Sequence, residues 1–119
     1  MKTNSISIVG FLPKDATTKN FENNNAVHTF DLGKSANIGE GETQEKVSAF
    51  IRVKVWKKNI SDDTLALLKK GALVSVKGNF TVEAFKGKDD KNHANWLIVA
   101  DSVEIVPKNA KNDEGEKQE

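Results

Sequence analysis

The stretch VSAFIRVKVW, residues 47–56, has the strongest strand pattern in this chain of 119 residues. Its odd positions are all apolar, and its even positions read Ser48, Phe50, Arg52, Lys54 and Trp56. Because side chains of a strand alternate between two faces, we expect one face to pack on a core. The other face then carries two aromatic rings with two cations between them. This combination suits single-stranded nucleic acid, whose bases stack on rings while its phosphates meet cations.

The same pattern has a second interpretation that involves no nucleic acid. A loop or a partner chain could cover Phe50 and Trp56, and Arg52 and Lys54 would then be merely solvated. The net charge of +1 does not decide between the two interpretations. Nucleic-acid binders are usually more basic than this chain. The prediction therefore depends on where the charges lie rather than on their sum.

Four further strands and one helix are predicted around this segment. The strands are expected at residues 5–12, 26–33, 73–86 and 96–106, with loops at 14–25, 35–46 and 87–95. The helix is expected between the third and fourth strands, capped by Ser61 and stopped by Gly71, with Lys69 and Lys70 in its last turn. This order predicts an all-β fold, a five-stranded Greek-key barrel with one short helix. We expect one domain over residues 1–107, followed by a disordered charged tail at 108–119.

The fourth predicted strand adds candidates to the interface. Alternation there sends Val74, Val76, Phe80 and Val82 into the core and turns Lys77 and Phe85 outward. Lys86 and Lys88 flank Phe85, whose alternative role is packing under the adjacent loop. Trp96 is expected in the core or at its rim. The complete predicted nucleic-acid-binding set is Phe50, Arg52, Lys54, Trp56, Lys77, Phe85, Lys86 and Lys88.

No enzyme, metal site or cofactor site is expected. His28 and His93 lie far apart without a third ligand at metal spacing, and we expect both to be surface or strand residues. The segment Gly33-Lys34-Ser35 lacks the earlier glycine of a phosphate-binding loop. The chain has no cysteine and no apolar run of membrane-spanning length. We therefore expect a cytoplasmic protein without catalytic residues.

Several short motifs occur in an order typical of one known family. They are Ile8-Val9-Gly10-Phe11-Leu12, Phe30-Asp31-Leu32-Gly33, residues 49–58, Leu68-Lys69-Lys70-Gly71, Val76-Lys77-Gly78 and Val99-Ala100-Asp101-Ser102-Val103. Over residues 5–106 the chain resembles the bacterial single-stranded DNA-binding proteins. The resemblance implies the oligonucleotide-binding fold (OB-fold), coating of single-stranded DNA, and a homo-oligomer, either dimer or tetramer. It also implies a role in replication, recombination or repair.

By position, the resemblance implies that Phe50, Trp56 and Phe85 are the stacking residues and that Arg52 is a phosphate contact. Some positions depart from the family pattern. The chain has Ile38 where the family often has another aromatic, and it has Thr81 and Glu83 where basic residues are common. These departures imply weaker and more salt-sensitive binding, which would fit a plasmid, phage or accessory member.

The last residues depart from the family as well. Family members that recruit replication and repair enzymes end in an acidic tip with a hydrophobic pair, whereas this sequence ends Glu116-Lys117-Gln118-Glu119. We therefore expect no recruitment through the tail. The alternative function is a protein-interaction module on the same fold, such as a primosomal accessory protein, in which the outward aromatics face protein.

Overall fold

The computed structural model describes residues 4–107 of the chain, and the predicted tail lies outside them. This part forms six β-strands: β1 Ile6–Phe11, β2 Thr17–Phe21, β3 Asn25–Ile38, β4 Glu45–Trp56, β5 Leu73–Lys86 and β6 Asn92–Ile105. One α-helix, α1 Asp62–Ala66, lies between β4 and β5. Two short 3-10 helices, Gly41–Thr43 and Lys57–Asn59, precede and follow β4.

The strands form one sheet in the order β1-β5-β6-β4-β3-β2. Neighbours run antiparallel, apart from the parallel pair β4 and β6. The sheet curls until β1 also meets β3, where Phe11 pairs with Gly33. The predicted order of elements is therefore observed, with one strand more than the sequence indicated.

That additional strand, β2, lies inside the predicted loop at residues 14–25. It pairs antiparallel with β3, from Thr17 opposite Thr29 to Phe21 opposite Asn25. Every residue of β2 is exposed. An edge strand that buries nothing shows no apolar alternation, so the loop prediction was wrong here. A turn at Asn23 and Asn24 joins β2 to β3, and both residues have a left-handed φ, of 67° and 61°, which asparagine tolerates.

The other two predicted loops are shorter than expected, because their flanking strands continue as long hairpin arms. β3 and β4 stay paired out to Ile38 opposite Glu45, which leaves only residues 39–44 as a connection. β5 and β6 stay paired out to Lys86 opposite Asn92. Backbone pairing and a few exposed side-chain contacts maintain these arms beyond the core, so the composition of their outer halves resembles that of a loop.

The core lies on the inner face of the curled sheet. Its buried members are Leu12, Phe30, Leu32, Val53, Val55, Leu68, Val74, Val76, Ile98, Ala100 and Val103. The inward alternation predicted for residues 47–56 holds for Val53 and Val55, whereas Val47 is exposed. Val82, also predicted to be in the core, is 50% exposed. Val47 and Val82 lie on the arms, where the inner face continues past the end of the core.

The helix begins as predicted and ends early. Ser61 Oγ accepts a hydrogen bond from the backbone N–H of Thr64 at 3.1 Å, which satisfies one free donor of the first turn. The helix lasts only five residues, so Lys69 and Lys70 follow it rather than forming its last turn. Gly71 has the left-handed φ of 92° expected of a glycine stop. No helix within residues 4–107 is long and apolar enough to cross a membrane.

His28 lies in strand β3, one of the two positions expected for it, and its side chain is buried rather than exposed. Thr18 Oγ1 and His28 Nδ1 share a hydrogen bond of 2.8 Å, and Nε2 has no partner within residues 4–107. Burial lowers the pKa of His28, an effect that the nearby Asp62 carboxylate opposes. The neutral ring is therefore favoured in the folded protein. No group of three side chains suited to holding a metal ion occurs in the described part of the chain.

Candidate nucleic-acid interface

The outward face of β4 carries four of the predicted binding residues. Because Val53 and Val55 are fully buried, alternation turns Arg52 and Lys54 away from the core. Phe50 and Trp56 share this outer face and remain 53% and 37% exposed. No loop within residues 4–107 buries either ring. The structure thus brings two accessible rings and two cations into one row, as the sequence predicts.

Phe50 is held in place by β1 and β3. Its ring packs edge to face against Phe11, with centroids 5.9 Å apart and planes at 83°. Both rings cover Gly33, where an added Cβ would lie 2.6 Å from Phe11 Cζ and 2.7 Å from Phe50 Cε1. A glycine is therefore needed beneath the two rings. The position of Phe50 depends on this contact between β1, β3 and β4.

Both cations of the row already have carboxylate partners, which the sequence did not indicate. Arg52 Nε lies 3.4 Å from Asp31 Oδ1 on the adjacent β3. The Lys54 ammonium donates a hydrogen bond to the Glu83 carboxylate on β5, reaching across β6. A phosphate that approaches this row must compete with the two carboxylates. The row is therefore less electropositive than its lysine and arginine suggest.

The arm formed by β5 and β6 places Phe85 on the same outer face. Its ring is exposed and stacks on His93 of the opposite strand, with centroids 5.5 Å apart, rather than packing under the loop. Lys86 points to the other side of the arm, and its Nζ lies 3.9 Å from Asp90 Oδ1. Lys88 is exposed in the connection at residues 87–91. The last two lysines thus lie at the tip of the arm, away from the β4 row.

Lys77 and Trp96 occupy opposite faces of the sheet. Lys77 is exposed on the outer face of β5 and pairs with Ser7 of β1. It is therefore separated from the β4 row by strand β6. Trp96 pairs with Val82 on the inner face of the arm and is 67% exposed. It contacts Phe80 edge-on at 6.4 Å. Trp96 therefore lies at the rim of the core, which is one of the two predicted positions.

Two residues of β2 lie on the outer face, although the sequence predicts a loop in this region. Phe21 packs against Trp56 with ring centroids 5.7 Å apart and planes at 39°. Lys19 Nζ lies 5.5 Å from the centroid of the Phe21 ring. The alternation of Lys19 and Phe21 was the one available signal. It was too short to indicate a strand on its own.

Comparison with known proteins identifies the class. The model of the single-strand binding protein family matches residues 3–106, nearly the whole chain. The chain belongs to this family.

Named relatives agree with this assignment. Over 103 residues the chain is 31% identical to single-stranded DNA-binding protein 3 of Listeria innocua, covering 87% of this chain and 63% of that protein. It is 30% identical to single-stranded DNA-binding protein 2 of Listeria monocytogenes, covering 89% and 66%. It is 26% identical to single-stranded DNA-binding protein 3 of Streptococcus agalactiae, covering 87% and 73%. The chain thus spans less than two thirds of the length of the two Listeria relatives.

A solved structure confirms the fold. It is described as a Plasmodium falciparum SSB complex with ssDNA and superposes with a TM-score of 0.74 at 18% sequence identity. The match covers 90% of this chain and 97% of that one. The curled sheet with its single short helix is therefore an oligonucleotide-binding fold, as the order of elements predicted.

We expect Glu83→Gln to tighten the binding of oligo-dT by roughly two- to fivefold at low salt, because it frees the Lys54 ammonium. The salt dependence should also steepen, by about 0.7 in the slope of log K against log salt for one added phosphate contact. Fluorescence anisotropy of a labelled strand measures both quantities. Asp63→Asn, which removes an exposed carboxylate from the helix, is the matched control. Unchanged or weaker binding by Glu83→Gln would show that the carboxylate does not compete with phosphate.

Proposed function

We propose that this chain binds and coats single-stranded DNA without strong sequence preference, as a non-catalytic cytoplasmic protein of replication, recombination or repair. One observation carries the proposal: Phe50, Trp56 and Phe85 expose their rings on a single face of the sheet, with cations between the first two. Membership of the single-strand binding protein family and the names of the relatives support it.

Base stacking supplies most of the binding free energy in this mechanism. Each base that stacks on an aromatic side chain contributes about 1–3 kcal/mol. Phe50 and Trp56 are six residues apart on β4, a distance of about 20 Å along a strand, so they engage different bases. Every base has an aromatic face, so this contact does not discriminate between sequences. Phe85, on the neighbouring arm, offers a third stacking position.

Phosphate contacts contribute less than the number of lysines and arginines suggests. Arg52 and Lys54 lie between the two β4 rings, where a backbone linking two stacked bases must pass. Each must exchange a carboxylate, Asp31 or Glu83, for a phosphate. Such an exchange releases few counterions, so we expect weak binding with a shallow salt slope. The sequence comparison, from the missing aromatic and basic residues at Ile38, Thr81 and Glu83, predicts weaker and more salt-sensitive binding, and the paired cations favour the weaker binding but a shallower salt slope.

Titration of labelled oligo-dT by fluorescence anisotropy tests this function, with duplex DNA as the control ligand. Trp56→Ala should weaken binding by about five- to a hundredfold, because one stacked base is lost. Phe50→Leu keeps the apolar cover over Gly33 while removing the ring, and it should weaken binding similarly. Leu67→Ala, at an exposed apolar residue beside the helix, should bind as the unmodified protein does.

Two results would contradict the proposal. The unmodified protein would show no binding to the single strand at low salt, or the ring variants would bind with unchanged affinity. If the ring variants lost self-association while DNA binding survived, the protein-interaction module would be the better account of this face.

We also propose that the chain forms a homo-oligomer, a dimer or a tetramer. Ile6 to Gly10 of β1 pair with β5 on one side, and on the other side only Phe11 forms a backbone pair within residues 4–107, while Lys34 Nζ of β3 donates a hydrogen bond to the Val9 carbonyl oxygen. An open strand edge of this kind is a natural site for pairing with a second copy. Light scattering at micromolar concentration should give a multiple of the chain mass. A clean monomer would contradict this proposal.

A further inference from the structure

We propose that β2 extends the interface by one strand, with Phe21 as an additional base-stacking residue and Lys19 as its phosphate contact. The inference rests on the proposed function, since it concerns the path of the same single strand of DNA. That strand would leave Trp56, cross over β3 and reach the β2–β3 hairpin.

The register of the sheet places β2 on the outer face beside Trp56. Lys19 pairs with Val27 of β3, and Val27 pairs with Trp56 of β4, so the three residues form one row across the sheet. Phe21, two residues after Lys19, points to the same face. Val27 is buried, whereas Lys19 is exposed. The outer face is therefore continuous from β4 to β2, with an apolar floor between Trp56 and Lys19.

Phe21 and Trp56 form a two-ring surface at the end of the β4 row. Their centroids are 5.7 Å apart and their planes are tilted by 39°, and Phe21 remains 42% exposed. The rings are too close together to admit a base between them, so each must accept a base on its exposed surface. A strand that stacks one base on Trp56 thus meets Phe21 next.

Lys19 differs from the β4 cations because it has no carboxylate partner within residues 4–107. Its ammonium lies over the Phe21 ring, 5.5 Å from the centroid. Arg52 and Lys54, in contrast, are both paired with carboxylates. A phosphate beside a base on Phe21 would meet an unneutralised positive charge. Lys19 is thereby better suited than either β4 cation to contribute a full phosphate contact.

The hairpin that carries Phe21 is fixed to the end of β4. Lys57 Nζ donates hydrogen bonds to the Asn24 backbone oxygen at 3.2 Å and to Asn24 Oδ1 at 3.1 Å. Asn24 lies in the turn that joins β2 to β3 and has a left-handed φ of 61°. These two hydrogen bonds hold the turn beside Lys57, the residue that follows Trp56. The two rings are therefore held together by backbone pairing and by a separate side-chain contact.

The experiment compares Phe21→Ala, Phe21→Trp and Lys19→Gln with the unmodified full chain on labelled oligo-dT of increasing length. On strands long enough to reach β2, Phe21→Ala should bind about five- to a hundredfold more weakly, and Phe21→Trp should bind at least as tightly as the unmodified protein. On the shortest strands that bind, the loss should be absent. The number of nucleotides covered per protomer should fall in Phe21→Ala. Lys19→Gln should reduce the salt slope by about 0.7, while Lys69→Gln, at an exposed lysine after the helix, should not.

A second measurement separates stacking from mere support of Trp56. If Phe21 stacks on a base, its substitution by alanine still weakens binding to long strands in a Trp56→Ala background, and 5-iodouracil strands crosslink to Phe21 on irradiation. Loss of the effect in that background, or equal binding by Phe21→Ala at every strand length, would overturn the inference. Absence of binding by the unmodified protein would instead refute the proposed function itself.

Discussion

The fold depends on the close approach of β1 to β3. An added Cβ at Gly10 would lie 2.5 Å from the Gly33 carbonyl oxygen, and one at Gly33 would meet the rings of Phe11 and Phe50. Gly10 therefore lets the two backbones come near enough to pair, and Gly33 leaves room for the two rings beside that pairing. That pairing curls the sheet, so that its inner face encloses the core and its outer face remains accessible. The same contact fixes Phe50, so the constraint that shapes the fold also positions one end of the interface.

Stacking, rather than charge, is the dominant feature of the outer face. Its central cations are compensated by Asp31 and Glu83, which agrees with the small net charge of the whole chain. Within residues 4–107, positive charge without a carboxylate partner remains at the periphery, for example at Lys19. We expect a face of this composition to hold a flexible strand through its bases and to gain little from phosphate attraction. Binding of this kind favours unpaired bases over duplex DNA, whose bases are already stacked on one another.

The sequence predicted the structure where burial imposes a pattern. In the second half of β4, Val53 and Val55 are buried while the outer face stays accessible, so alternation there identified both the core residues and the outward row. It failed on β2 and on the two arms, where backbone pairing persists without burial and leaves no apolar signature. Val82 continues the apolar alternation of β5 and was therefore assigned to the core, although it lies beyond the core on an arm and is exposed. The contact of Phe21 with Trp56 depends on a register between strands far apart in sequence, and no local pattern encodes that register.

The most direct test of this account is amide chemical-shift mapping by NMR of the full chain during titration with oligo-dT. If DNA binds the outer face of the sheet, the largest shift changes lie on β4 and the strands beside it, with α1 unaffected. Changes confined to the inner face of the β5–β6 arm, around Trp96 and Val82, with β4 unchanged would contradict it. They would mean that DNA binds a surface other than the outer face of the sheet.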